Sequence, residues 1–246
     1  MARITTLVLR IVWANRQHNI RIGIAANIFV NAGVLLVYMI NLILAQRILR
    51  AKQPHLGWHP IPRVGGKVFY YLIPAALIMV ITAIVLSFYT LDPVTRSDCR
   101  DVQLTAITYL LVFTCLPLLH IIPAVMLPKS KQEETFGQGS MLAKIVIVTA
   151  STFLCILIAG FKAGILWSPA RPISNPAWYH SKAAFYVLNF VLEIMILCLL
   201  TFSRIDKRFH IPDGSTKPGD YSGMRRKDSE DGSSERTIAA EHKAQP

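Results

Sequence analysis

Five blocks of about 20 mostly apolar residues, separated by short polar or basic connections, govern what this chain can become. They cover residues 22–44, 68–88, 104–127, 142–166 and 183–202. A soluble domain of this length needs more than 16% charged residues to solvate its surface, and here most of the charges fall in the connections and the tail. Lipid rewards apolar surface and excludes charge, so the pattern predicts an all-α fold, a polytopic transmembrane helix bundle with five full spans. Pro74 and Pro117 lie inside the second and third blocks. They would break soluble helices, but a membrane bundle tolerates them because neighbours re-satisfy the freed carbonyls.

The flanks read differently. Residues 1–21 hold a short apolar core (Leu7, Val8, Leu9, Ile11, Val12) interrupted by Arg10, with no small-residue cleavage site after it. They are expected to form an outer segment or the tail of a truncated preceding helix. Residues 22–203 make the bundle. Residues 204–246 carry too little apolar surface to offset ordering entropy and are expected to be a disordered cytoplasmic tail.

The net charge of +12 does not point to nucleic acid, because the bases sit beside apolar spans and are not interleaved with aromatics on one face. Anionic membrane lipids are the expected partners. Arg47, Arg50, Lys52, Arg63 and Lys67 follow the first span, Lys129 and Lys131 the third, and Arg204, Lys207 and Arg208 the fifth. All fall on one side, which the positive-inside rule makes cytoplasmic, in the plasma membrane or an internal one. Arg3, Arg10, Arg16 and Arg21 sit badly with an outer N-terminus, a conflict that missing upstream spans would ease.

Cys115, Cys155 and Cys198 lie inside spans and Cys99 in a loop, which is no disulfide framework. No phosphate-cradling loop, nucleophile elbow or zinc-helix motif is present, so neither enzyme activity, metal nor cofactor is expected. What remains is polarity at membrane depth. On a helical wheel Lys182, Tyr186, Asn189 and Glu193 fall within about 60° of one another. Asn27, Asn31, Tyr38 and Asn41 share an arc of about 80°. Thr105, Tyr109 and His120 share a face of the third span, and Ser151, Cys155 and Lys162 one of the fourth. Asn and Thr in such positions act first as interhelical glue. His120 by itself reads as a hydrogen-bonded core histidine. A carboxyl at depth is costly, and this marks Glu193 as the centre of a ligand or proton pathway.

Several linked motifs carry a resemblance. They are Arg10-Ile11-Val12-Trp13-Ala14, residues 25–30 and 41–51, Ser87-Phe88-Tyr89-Thr90, Phe136-Gly137-Gln138-Gly139, residues 176–183 and Arg204-Ile205-Asp206-Lys207-Arg208-Phe209. Together they resemble a fungal seven-span membrane protein family of unknown function, itself similar to the lipid-translocating exporters of aminocholesterol resistance. The resemblance implies a seven-helix fold of which two N-terminal spans are absent here. It also implies transport or sensing of a lipid-like amphipathic small molecule, through a cleft lined by the stripes of the first and fifth spans. A seven-helix receptor coupling to a cytoplasmic partner, or a structural membrane protein without a ligand, are the alternatives.

Overall fold

The computed structural model describes residues 2–15, 19–90, 92–128, 130, 134–169, 177–212, 215 and 217–221. Among these residues every regular element is helical: α1 (Ala2–Asn15), α2 (Ile20–Lys52), α3 (Pro54–Gly57), α4 (Pro60–Tyr89), α5 (Pro93–Met126), α6 (Met141–Trp167), α7 (Lys182–Tyr186), α8 (Leu192–Phe202) and α9 (Ile205–Arg208). A 3-10 turn (Trp178–His180) precedes α7, and a π-helical stretch (Val187–Val191) joins α7 to α8. Five helical stretches are long and apolar enough to cross a bilayer: Arg21–Lys52, Val64–Ser87, Pro93–Met126, Met141–Trp167 and Ala183–Phe202. They coincide with the five sequence blocks, and the chain is a multi-pass membrane protein. With 14 residues, α1 rises only about 21 Å, short of a crossing, and it packs along α2.

Why these blocks settle as they do follows from where their apolar surface goes. Half of the apolar window of α2 is buried inside the bundle, against 17% for α4, so α2 is the axial helix and α4 a peripheral one. Leu42, Ala45 and Ile48 of α2 are fully enclosed together with Phe113 of α5, Val148 and Ile158 of α6 and Ile196 of α8. The opposite faces carry Tyr71, Leu142, Phe153 and Phe202, all largely exposed. Apolar surface of that extent marks a face that water does not cover, and here lipid covers it. Pro74, Pro117 and Pro123 lie within unbroken helices.

Helix starts are capped as their residue types dictate. Ser140 accepts from Ala143 N and Ser181 from Ala184 N. Asp92 accepts from the backbone N–H of Val94 and Thr95 at 3.3 Å and from the Thr95 hydroxyl at 2.7 Å. These bonds, the hydroxyl first, hold its carboxyl below the ordinary value of 3.8.

The basic end of the bundle is locked by the connection between α5 and α6. Gly137 and Gly139 both adopt positive φ, +55° and +85°. A Cβ on Gly137 would lie 2.1 Å from Arg208 O, so glycine is what lets the two backbones meet. Gln138 N donates to Lys207 O, and Arg47 Nη1 of α2 donates to Phe209 O at 2.7 Å. Phe136 lies between the rings of Phe209 and Tyr221, and buried Lys144 donates to Phe136 O. Glu134 takes the backbone N–H groups of Gly219 and Tyr221 at 2.6 and 2.9 Å. Part of the segment expected to be disordered is therefore docked: Phe209 and Tyr221 are buried. Composition underestimates this stretch because two aromatic rings and backbone bonds anchor it, not an apolar face. The remainder of the tail, residues 222–246, lies outside the described residues.

Two outcomes follow. Gly137→Ala should cost about 2 kcal/mol or more and lower the thermal unfolding temperature in detergent. Gly160→Ala, where a Cβ meets nothing within 4 Å, should be neutral or stabilising. Because the folded-state pKa of Asp92 is depressed, its contribution is present above the ordinary carboxylate range and lost as pH falls through the lower folded value. Asp92→Asn should flatten that acid limb of the stability profile, measured by unfolding between neutral and strongly acid pH.

Candidate functional site

Besides Thr114 of α5, which bonds within its own helix, the buried polar side chains of the spans lie on α2, α6 and the fifth. On α2, Asn41 is buried and its Nδ2 donates to Val37 O and to Cys155 Sγ of α6, both at 3.2 Å. Further along the same pair of helices, Lys162 Nζ donates to Asn31 Oδ1 at 2.9 Å. The stripes of the first and fourth spans thus face each other and are stitched at two levels, as the glue reading of these residues anticipates. Ser151 lies one turn from Cys155, fully enclosed, and its hydroxyl has no partner among the described residues.

The fifth span is less regular than its sequence suggests. Across Val187–Val191 the helix widens, and Leu192 N–H reaches back five residues to Val187 O. Each such widening adds a residue to a turn and rotates the following face by about 100° relative to an ideal α-helix. The consequence is a corrected stripe. Asn189 and Glu193 are buried, at 2% and 3% exposure, whereas Tyr186 is 43% exposed, meets the Phe185 ring edge-on and lies tilted against Phe190. A 3.6-residue wheel places Tyr186 with Glu193; the π turn separates them. Asn189 Nδ2 donates to Phe185 O at 3.0 Å, while its Oδ1 is buried without a partner among the described residues.

Nor do the first and fifth spans line a cleft directly. The fifth packs on α6, and α6 on α2. α6, whose Ser151 and Cys155 lay on a stripe of their own in the sequence, stands between the two and takes the polar contacts of α2. His120 is half-buried and bonded locally, Nδ1 lying 2.8 Å from Leu116 O. The side chains of Asn27 and Lys182 lie outside the described ones. Buried oxygens without a partner among the described residues thus occur on Asn41 of α2, Ser151 of α6 and Asn189 of the fifth span, which also buries the Glu193 side chain. Buried oxygens of this kind suit a proton or a hydrogen-bond donor. Among the described residues no group of three His, Cys, Asp or Glu is placed to hold a metal ion.

A separate groove of about 410 Å³ runs between α4 and α5. Its wall is apolar (Leu72, Ala76, Met79, Val102, Ala106), and Asp101, Thr105 and Tyr109 are among its lining residues. Tyr109 of its lining ties α5 to α4, stacking on Phe69 and donating to Phe69 O at 3.1 Å. Sequence reasoning put Thr105 and Tyr109 on one face but gave no sign of the groove, because a groove depends on which small residues of α4 stand opposite.

Residues 140–210 match the model of a protein family of unknown function, DUF3112. The match begins at the Ser140 cap, spans α6 and the whole fifth crossing, and ends just after the Arg208–Phe209 docking segment. No curated protein and no solved structure matches the chain.

Stitching by Lys162 and Asn31 predicts a modest coupling. A double-mutant cycle of Lys162→Met and Asn31→Leu should give about 0.6 kcal/mol and no more than about 2, read from unfolding in detergent. A coupling near zero would show that the two side chains do not meet in the membrane.

Proposed function

We propose that this membrane protein transports or senses a lipid-like amphipathic molecule, and that Glu193 supplies the polar contact or proton on which the process turns. The observation that carries the reading is the burial of Glu193 and Asn189 on a π-helical interruption of a membrane span. A carboxyl at the centre of a spanning helix costs about 2 to 3 kcal/mol on insertion scales. π-helical turns occur often at functional sites, since they trade helix regularity for the placement of a side chain. Interhelical glue accounts for Asn31 and Lys162, but gluing does not require a carboxyl. Unpartnered oxygens on Asn41, Ser151 and Asn189 fit a centre that accepts a donor or passes a proton.

Amphipathic character in the ligand is supported by the α4–α5 groove, which offers an apolar wall with polar side chains in its lining. It also accords with the resemblance to lipid-translocating exporters. On this reading the basic end of the bundle faces the cytoplasm, following the positive-inside rule, and no bond is made or broken in the ligand.

Reconstitution in phosphatidylcholine vesicles with a fluorescent lipid analogue tests the proposal. Wild-type chain should translocate the analogue across the bilayer, and Glu193→Gln should slow it about tenfold or more while the unfolding temperature is kept. Unchanged translocation in Glu193→Gln would remove Glu193 from the site. Binding of the analogue without translocation by the wild type would favour sensing over transport.

A further inference from the structure

We infer that the basic end of the bundle holds a second, independent site, one for a phosphate-bearing anion. Two hollows of about 220 and 300 Å³ adjoin there, sharing Gln46, Arg50 and Ser215 in their walls. Trp58, Lys67 and Tyr70 complete the first, and Arg47, Ile211 and Tyr221 are among those that complete the second. Three cations line the pair, and no acidic side chain does so among the described residues. Glu134 is turned instead to the backbone N–H groups of Gly219 and Tyr221.

The donors are arranged and not merely clustered. The Arg50 guanidinium lies over the Trp58 ring, 5.0 Å from its centroid. Such stacking fixes the guanidinium plane while its N–H edge stays available for bidentate contact with phosphate oxygens. Trp58 Nε1 is buried and donates to no acceptor among the described residues. Arg47 uses one nitrogen on Phe209 O, which leaves further donors on its fork. Gln46 lies across Gly66, where a Cβ would come within 2.6 Å of Gln46 Nε2. The absent side chain leaves room for the Gln46 amide at the wall of the hollow.

The depth is right for a headgroup. With 33 residues α2 is about 50 Å long, against a hydrocarbon core of about 30 Å, so its basic last turns emerge at the membrane surface. The docked tail closes the far wall through Ser215, Pro212 and Tyr221, which makes a pocket out of what would otherwise be an open basic surface. The ligand chemistry is therefore a phosphate carrying negative charge, borne by a membrane lipid or free in solution.

The 246-residue chain in phosphatidylcholine nanodiscs should be titrated with short-chain phosphatidic acid, with inorganic phosphate and with short-chain phosphatidylcholine as the zwitterionic control. Tryptophan fluorescence and unfolding temperature serve as readouts. Saturable binding of phosphatidic acid is expected, weakened about tenfold in Lys67→Gln and in Arg50→Gln and unchanged in Lys217→Gln, an exposed base outside the hollows. Lys67 is exposed, so its variant stays informative even if Arg50→Gln disturbs Trp58. Binding by the lipid alone identifies a headgroup site, and equal binding of inorganic phosphate identifies a free-anion site. Non-saturable binding, or equal weakening by Lys217→Gln, overturns the inference, because either reduces the effect to general charge attraction.

Discussion

A bilayer interior offers no water to an unpaired N–H or C=O, and the rest of this structure depends on that constraint. It forces each apolar block into helix, carries helix through Pro74, Pro117 and Pro123, and leaves side chains to decide which helix faces which. Burial then sorts the helices. α2 becomes axial because Leu42, Ala45 and Ile48 have neighbours on every side, while α4 keeps most of its surface for lipid. Polar side chains must likewise find partners inside the protein, and this is why Asn41 meets Cys155 and Lys162 meets Asn31.

Spans were legible in the sequence because their signal is length and composition, which no tertiary contact alters. Polar stripes were legible on α2 and α6, where the helix keeps its 3.6-residue period. They failed on the fifth span at Val187–Val191. Nothing in that apolar run announces a π turn, so Tyr186 was placed with Glu193 when it belongs on the outer surface. Which helix stands beside which was also beyond the sequence. The first and fifth spans looked like partners because both carry polar stripes, yet α6 is the helix on which both pack.

The basic end teaches a different lesson. Phe136-Gly137-Gln138-Gly139 and Arg204-Ile205-Asp206-Lys207-Arg208-Phe209 are separate in the chain, and each looks like an ordinary polar connection. In the fold they form one lock, with a glycine backbone against Arg208 O and an aromatic ring against Phe209. A composition argument judged the tail by its apolar content and missed this, since backbone bonds and two rings hold it. By tethering the start of the tail to α2, the lock also gives the basic pocket its outer wall. The buried polar groups of the fifth span and the cationic hollow at the end of α2 are thus separate features on different helices.

Alternate crossing by the five spans is the claim on which everything else rests, and the side of the membrane reached by successive connections tests it most directly. In a chain whose four cysteines are replaced by serine or alanine, a single cysteine is placed at Ser97, in the exposed first turns of α5, or at Gln138, between α5 and α6. A membrane-impermeant maleimide applied to sealed, uniformly oriented vesicles should label one position at once and the other only after permeabilisation. Labelling of both from the same side would mean that α5 does not cross, and the bundle described here would be wrong.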